Sequence, residues 1–592
     1  MDEKHLLAGD NRPMPPRKGP SKFRRMAMDV AMVMLVSASS FNLVWRGPHT
    51  FCPHEKPREV PSIRYPGERY SGESIEWTPC GEVDGRQLEC SSIETPYDHW
   101  NKDSGSGGNQ SFTIALNRLR GKNATKNMLI NPGGPGGSGL DLVRIGGKQL
   151  RTIIGEDHHI LGFDPRGVGK STPLAICYPD EETRDLHAIE TPTDPKKDNG
   201  YAYAYYKALV QACADTMPEY GKYINTPQTA ADMNSILDAI GQDGLVYWGF
   251  SYGTILGQTY ANLFPERSER VIIDGVFNQF AWYDYVVDNT SLVDTNHVVD
   301  GFFTECIKAG DKCMLSSLAD NAEDLQNNVT SLIKDLRDDP MSIYIDKKTY
   351  GVIQYDDIWL DAIFPSTYSP ATWYRLADNL ANLMWGDGSK ALQEYVLGQQ
   401  SRGQKILEHY MVISHNDRPS GKDVFPQTRK EIMDFLSPVF NESSDFIGTL
   451  FGDYFSRALW QVPKQHPFTP PQEKVETRHP MLILSTTYDP VCPLSAAKVA
   501  QESFKHSRLV EVQGYGHCSI AVQSACIAEH VRAYLNNGTV PDEKHTKCKV
   551  DGDYFIVPAD KAVKTSGVEM SEEEEILVAQ QELSELLESF RL

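Results

Sequence analysis

No Cys/His cluster in the chain has metal-finger spacing, and no segment repeats. A structural zinc module and a repeat array are excluded on those grounds. Positive charge is in deficit: 58 Lys and Arg face 80 Asp and Glu, for a net charge of −22. So acidic a chain lacks the charge needed to neutralise phosphates, which excludes nucleic acid as a partner. A complete phosphate-binding loop is also missing. Gly167-Val168-Gly169-Lys170-Ser171-Thr172 resembles the end of one, but Asp164 stands where its first glycine belongs. A carboxylate there repels phosphate, so no nucleotide and no other cofactor is expected.

What is present begins with size. At 592 residues the chain is long enough to bury a large core and to carry a sizeable insertion. Residues 1–25 form a basic tail with Arg17, Lys18, Lys22, Arg24 and Arg25, and residues 26–45 form a mainly apolar stretch. Twenty residues at 1.5 Å rise just cross a hydrocarbon layer of about 30 Å. The basic flank stays cytoplasmic, so the rest faces the lumen or exterior as a single-pass type II membrane protein. A cleaved signal sequence, with a secreted product, is the alternative. Residues 46–74 read as a stalk.

Sequons at Asn109, Asn123, Asn289, Asn328, Asn441 and Asn537 fit the secretory route. So do the eleven cysteines. Cys80 with Cys90 and Cys306 with Cys313 are candidate short disulfide loops, and Cys177 with Cys213 and Cys526 with Cys548 are longer ones.

From Ile75 the pattern is globular. Ser111 to Leu116 alternates like an outer strand. Short apolar runs end in turn residues at Asn127–Ile130, His159–Phe163, Leu245–Trp248, Val271–Ile273, Met481–Leu484 and Leu509–Val512, as buried parallel strands do. Helical patterns lie between them. One begins at Thr226-Pro227, read as a cap and a first-turn proline, and Gly241 stops it. This alternation predicts an α/β fold with a mostly parallel, doubly wound sheet. Residues 75–277 would form its first part and residues 477–550 its C-terminal part. Between them, residues 278–476 show no buried-strand run and read as a large, mainly helical cap insertion. Residues 551–592 read as a peripheral, acidic C-terminal helix with an apolar stripe through Ile576, Leu577, Ala579, Leu583, Leu586, Leu587 and Phe590.

The chemistry-bearing segment is Gly249-Phe250-Ser251-Tyr252-Gly253, directly after an apolar run. Strand, sharp turn and helix hold a serine hydroxyl above a sheet edge, where a base can reach it. A serine is a weak nucleophile at neutral pH. It needs a base, an acid to orient the base, and donors for the oxyanion. His517, in Gly514-Tyr515-Gly516-His517 past the strand 509–512, is the candidate base. Asp489, in Tyr488-Asp489-Pro490 past the strand 481–484, is the candidate acid. The order Ser, Asp, His is that of α/β-hydrolases. The loop Asn131 to Gly139 follows another strand, and the backbone N–H groups of Gly133, Gly134 and Tyr252 are the candidate oxyanion donors. His158 and His159, at a strand start, read as packing residues.

Together the segments Asn131–Gly139, Gly162–Ser171, Gly249–Thr254, Asp489–Val491 and Gly516–Cys518 resemble the tripeptidyl-aminopeptidase-like α/β-hydrolases, secreted serine peptidases related to proline iminopeptidases. The resemblance spans roughly residues 75–550. It implies Ser251 as nucleophile, Asp489 as orienting acid and His517 as base, with Asp164 and Arg166 holding a loop beside the site. It also implies a substrate class: short peptides released from a free N-terminus under a cap. The 238 residues between nucleophile and acid suit a substantial cap. Cys492 and Cys518, next to the acid and the base, are expected to form a bracing disulfide if the two loops touch.

The expected function is therefore a serine hydrolase acting on peptide substrates through an acyl-enzyme. A carboxylesterase, lipase or thioesterase with an ester substrate stays open, because the same triad cleaves both bonds. A non-catalytic binding protein on a hydrolase scaffold is the third class. The sequence sets no oligomeric state.

Overall fold

The computed structural model describes residues 72–587, apart from 102–109, 188–196, 289, 399–403, 443–445, 447–450 and 558–569. The basic tail, the apolar stretch 26–45 and the stalk up to residue 71 lie outside the described residues, as do Asn109, Asn289 and Phe590. Among the described residues no helix is long and apolar enough to cross a membrane.

Twelve strands are present among the described residues: β1 (Thr78–Val83), β2 (Arg86–Pro96), β3 (Ser111–Leu119), β4 (Lys126–Asn131), β5 (His158–Phe163), β6 (Leu245–Phe250), β7 (Ser268–Asp274), β8 (Met341–Asp346), β9 (Thr349–Ile353), β10 (Leu482–Tyr488), β11 (Arg508–Tyr515) and β12 (His545–Cys548). Ten of them form one sheet in the order β1-β2-β3-β5-β4-β6-β7-β10-β11-β12. The end from β1 to β5 pairs antiparallel. From β5 through β4 to β12 every pairing is parallel. Ser111–Leu116, read as an outer strand, lies two strands inside the edge.

Helices of eight or more residues among the described residues are α1 (Gly139–Ile154), α2 (Asn199–Thr216), α3 (Thr226–Ala239), α4 (Gly253–Leu263), α5 (Thr295–Ala309), α6 (Ala322–Asp335), α7 (Trp373–Met384), α8 (Gln404–Asp417), α9 (Arg429–Glu442), α10 (Phe451–Ala458), α11 (Leu494–Ser503), α12 (Ala525–Asn537) and α13 (Glu572–Leu587).

The sheet is covered on both faces, and strand residues alternate between them. Leu129, Leu161, Tyr247, Ile273 and Ile483 pack with Met233, Ile236 and Leu237 of α3 and Ile255 and Leu256 of α4. Their neighbours Met128, Ile130, Val246, Trp248, Ile272, Leu482 and Leu484 face Leu142 and Val143 of α1, Val531 of α12 and Leu583 of α13. Buried parallel strands are apolar on both faces, which is why they read as unbroken apolar runs.

The helix α3 is capped one residue earlier than its sequence suggests. Asn225 accepts from the Gln228 N–H, and Thr226 opens the helix. An Asn side chain reaches the N3 amide as well as a Thr does, so sequence alone leaves the choice open.

The interval 278–476 is mainly helical, but not one body. Its first part, with α5 to α7 and the β8–β9 hairpin, has its own core of Phe302, Phe303, Leu325, Ile333, Trp373 and Leu376. Its later helices α8 to α10 pack elsewhere, with Val412, Phe451 and Phe455 beside Tyr206, Leu209 and Val210 of α2. The α2 segment lies within residues 75–277, read above as core. Arg429 Nη1 joins it to the later helices by donating to Asn199 Oδ1 at 2.6 Å, and Arg184, in the short helix Glu181–His187 before it, pairs with Glu408 of α8. The hairpin escapes the sequence pattern because Ile343 and Ile353 are its buried apolar residues while Tyr344, Tyr350 and Val352 are exposed.

Asp164 and Arg166 act as ties. Asp164 accepts from Ser138 Oγ at 2.6 Å, the Leu140 N–H at 3.2 Å and the Lys170 N–H at 2.7 Å. A side chain at Gly169 would lie 2.2 Å from its carboxylate. Arg166 makes two bonds to Asp232, at 2.6 and 2.7 Å, and donates to the carbonyls of Tyr97 and Tyr223. Both charged side chains are buried, at 0 % and 1 % exposure. Removing Arg166 leaves the buried Asp232 charge with His99 Nε2, at 2.8 Å, in place of a bidentate guanidinium. Arg166→Met is therefore expected to lower unfolding stability by about 3–5 kcal/mol, read as a lower urea midpoint at unchanged slope.

Candidate active site

The carboxyl ends of β4, β6, β7, β10 and β11 meet on one edge of the sheet, the position where doubly wound folds place ligands. Ser251 follows β6 and has φ 56°. That left-handed turn is strained for a serine and swings its side chain out of the strand. The glycines around it are needed for space. A Cβ on Gly249 would sit 2.4 Å from the Gly253 carbonyl, and one on Gly253 would lie 3.0 Å from the Asn131 carbonyl. The Ser251 N–H donates to the Asp274 carbonyl at 2.9 Å, and the Ser251 carbonyl accepts from Thr254 N–H at 2.8 Å.

Asp489 lies beyond β10 and is fully buried. Its carboxylate accepts from the N–H groups of Val491 (3.0 Å), Cys492 (2.8 Å) and Cys518 (2.9 Å). His517 Nδ1 lies 2.9 Å from both of its oxygens. Carboxyl oxygens on both sides of Nδ1 orient the imidazole with Nδ1–H toward Asp489, leaving Nε2 as the acceptor. His517 Nε2 is buried and has no hydrogen-bond partner among the described residues. Behind the ring, the His517 N–H donates to the Tyr368 carbonyl at 2.8 Å. The Tyr368 ring stands edge-on to the imidazole at 5.1 Å.

The glycine loop after β4 touches the serine. A Cβ on Gly133 would lie 2.8 Å from Ser251 Cβ and 3.3 Å from the Tyr252 nitrogen. The Gly133 N–H, however, donates to Asn131 Oδ1 at 3.0 Å. It is occupied, so the structure removes Gly133 from the three expected oxyanion donors. Among the described residues no backbone acceptor takes up the N–H of Gly134 or of Tyr252.

Cys492 and Cys518 are free and buried, which overturns the expected bracing disulfide. The two thiols face different layers. Cys492 packs into the cluster of the cap's first part, and Cys518 into the sheet face under α1 and α12. Cys518 Sγ donates to the Asp274 carbonyl at 3.3 Å. Burial pushes both thiols well above the usual range. Disulfides join Cys80 to Cys90, Cys177 to Cys213, Cys306 to Cys313 and Cys526 to Cys548.

Two groups near the site carried little sequence signal. Asp274 ends β7, and its buried carboxylate accepts from Ser519 N–H at 2.6 Å and Ser519 Oγ at 2.7 Å. An Asp-Gly pair closing a strand on the same sheet edge was the available cue. Tyr368 had none. A further chain of bonds runs below the nucleophile: Asp417, at the end of α8, accepts from Thr226 N–H at 2.9 Å and Trp282 Nε1 at 3.1 Å. The Thr226 hydroxyl bonds both Asp417 and the Tyr252 hydroxyl.

Two groups of side chains among the described residues have metal-ligand proximity. Both cysteines of the Cys526, His530, Cys548 group are in a disulfide, and Asp489, Cys492 and His517 are bonded as described. His158 and His159 are buried in β5, and desolvation holds His159 down at about 3, in line with a packing role. Of the sequons, Asn123, Asn328 and Asn537 are exposed.

The elbow, the carboxylate–imidazole pair and the glycine loop define a serine hydrolase of the α/β-hydrolase fold. Residues 126–298 match the family model described as "alpha/beta hydrolase fold", and residues 448–548 match the one described as "TAP-like protein". Both matches, with the relatives below, support a TAP-like α/β-hydrolase. The chain is similar to serine protease Hip1 of Mycobacterium tuberculosis, with 28% identity over 489 residues, 79% of this chain and 90% of that one. Tripeptidyl aminopeptidase of Streptomyces lividans is 30% identical over 246 residues, 39% of this chain and 44% of that one. Carboxylesterase B of Mycobacterium tuberculosis is 26% identical over 506 residues, 80% of this chain and 90% of that one.

Mass mapping of non-reduced peptides is expected to show Cys492 and Cys518 as free thiols that alkylate only after denaturation. A peptide pair joining them would refute the assignment. A second test concerns Asp274. Burial raises its carboxyl to about 6. The folded state then binds a proton that the unfolded state releases between about pH 4 and 6, so this group favours folding at low pH and loses that contribution as pH rises through about 6. Wild type should gain about 2 kcal/mol relative to Asp274→Asn between pH 7 and pH 4, measured by denaturant unfolding at each pH.

Proposed function

We propose that this protein is a serine exopeptidase that releases short peptides from the free N-terminus of a polypeptide through an acyl-enzyme on Ser251. The observation that carries the reading is the left-handed elbow at Ser251 on the same sheet edge as a buried His517–Asp489 pair whose Nε2 is unengaged. Full-length similarity to a protein named as a serine protease supports the peptide bond as its target.

In this mechanism Ser251 Oγ attacks the scissile carbonyl carbon while its proton passes to His517 Nε2. Asp489 holds the ring and stabilises the imidazolium. The N–H groups of Tyr252 and Gly134 receive the oxyanion, each donor contributing about 3 kcal/mol to transition-state stabilisation. Collapse breaks the C–N bond, and the amine leaves with the proton from His517. Water, deprotonated by the same nitrogen, then releases the acyl group.

The cap built from residues 278–476 and the α2 segment limits access to short, unbranched ends. The four disulfides fit folding in an oxidising compartment. Residues 26–45 act as the membrane anchor in this reading, and Asn123, Asn328 and Asn537 are the accessible glycosylation positions among the described residues.

An esterase is the second reading, favoured by the similarity to a carboxylesterase. Ser251→Ala is expected to lower turnover by at least about 10⁴-fold without lowering the melting temperature. A fluorophosphonate should label Ser251 in wild type. Tripeptidyl amides with a free amine should turn over faster than their N-blocked forms. Equal rates on both, or turnover of acyl esters alone, would overturn the exopeptidase reading in favour of the esterase.

A further inference from the structure

The acidic helix α13 lies beyond the residues matched by either family model. Its apolar stripe, Ile576, Ala579 and Leu583, seats it on the sheet face between α1 and α12. An apolar stripe alone does not fix register, because such contacts are non-directional. The register is set by polar groups, and these lead to the two segments that flank His517.

On one side lies the chain just past the histidine. Gln580 Oε1 accepts from the Ser524 N–H at 2.8 Å, and Gln580 Nε2 donates to the Ser524 carbonyl at 3.0 Å. Gln523 Nε2 donates to the Leu577 carbonyl at 2.9 Å. On the other side lies the cap. Ser584 Oγ bonds Ser369 Oγ at 2.7 Å. Ser369 follows Tyr368, whose carbonyl takes the His517 N–H. Gln580 is 0 %, Ser369 2 % and Ser584 5 % exposed, so these bonds are made out of water. Buried polar groups left unpaired are expensive, which makes such bonds specific in position.

The catalytic imidazole needs outside support. Asp489 fixes Nδ1, but Nε2 has no partner that would hold it over Ser251. Where Nε2 points is decided by the His517 backbone, and that backbone is held by Tyr368 on one side and by the 518–524 segment on the other. The segment is tight: a Cβ on Gly516 would lie 2.8 Å from Pro370 Cδ and 3.1 Å from the Tyr368 carbonyl.

We propose that α13 is a positioning element for the catalytic base: Gln580 and Ser584 clamp the two segments around His517 and set the approach of Nε2 to Ser251. The proposal rests on the reading of Ser251 and His517 as nucleophile and base. Displacing a reacting group by about 1 Å lowers rates on the order of 100-fold, so a loosened clamp acts on turnover before it acts on binding.

The test uses the full-length chain with Gln580→Ala/Ser584→Ala, with Ser584→Thr as the conservative variant and Glu575→Gln on the exposed face of α13 as control. The assay is hydrolysis of a free-amine tripeptidyl amide, with kcat taken per fluorophosphonate-titratable Ser251 so that a smaller active fraction is not mistaken for slower turnover. Assays run below the onset of melting followed by circular dichroism. The double variant is expected to lose about tenfold or more in kcat with KM within about twofold, and to be labelled correspondingly more slowly at Ser251. Ser584→Thr and Glu575→Gln are expected to match wild type.

If the double variant does not fold, Ser369→Ala/Ser584→Ala replaces it. This pair removes both hydroxyls together and strands no polar group. It should lower kcat per titrated site about threefold or more. A folded variant of either kind with wild-type kcat per titrated site overturns the proposal. A wild-type chain that no fluorophosphonate labels at Ser251 overturns the triad reading itself, and is told apart because it fails before any variant is compared.

Discussion

The convergence of Ser251 and His517 depends on one buried residue, Asp274. Its carbonyl takes the Ser251 N–H, and its carboxylate takes the N–H and hydroxyl of Ser519. Three strand ends are thereby tied at a point: β6 through the elbow, β7 through Asp274, and β11 through the histidine loop. The strain at Ser251 persists because the surroundings over-determine it, with Thr254 and Asp274 bonding either side of the turn. An apolar residue at 274 would leave the Ser519 donors without partners at the place where the catalytic geometry is set.

Electrostatics and packing divide the work around the triad. Asp489 is surrounded by backbone donors and needs no cation, which suits a group that must stay charged beside an imidazole. Asp417 plays a different part: it bonds Thr226 and Trp282, so the end of α8 is coupled to the residue that follows the nucleophile. Residues 278–476 are thus bonded to the sheet edge below Tyr252 through Asp417 and behind His517 through Tyr368.

Much of this architecture was legible in the sequence. The apolar runs at Asn127–Ile130, Val271–Ile273 and Met481–Leu484 are strands, because a strand buried on both faces must be apolar throughout. Other parts were not legible. The β8–β9 hairpin presents Tyr344 and Tyr350 to solvent, so its pattern lacks the alternation of a half-buried pair. The α2 segment reads as core by position, yet it packs with α8 to α10, a partnership that links residues over 200 positions apart.

The same division runs through the site. The sequence by itself determined the serine elbow, the order of serine, acid and base, and the strand ends that carry them. Those features follow from local rules: which residues tolerate a sharp turn, and which periodicity buries a face. Only the tertiary structure decided that Gly133 spends its N–H on Asn131, that Cys492 and Cys518 face different layers, and that Asp274, Tyr368 and Gln580 bond the segments around Ser251 and His517. Each of these depends on which distant groups meet and which donors are already taken. Local pattern constrains the backbone that presents a group, but the group's partner is fixed by packing.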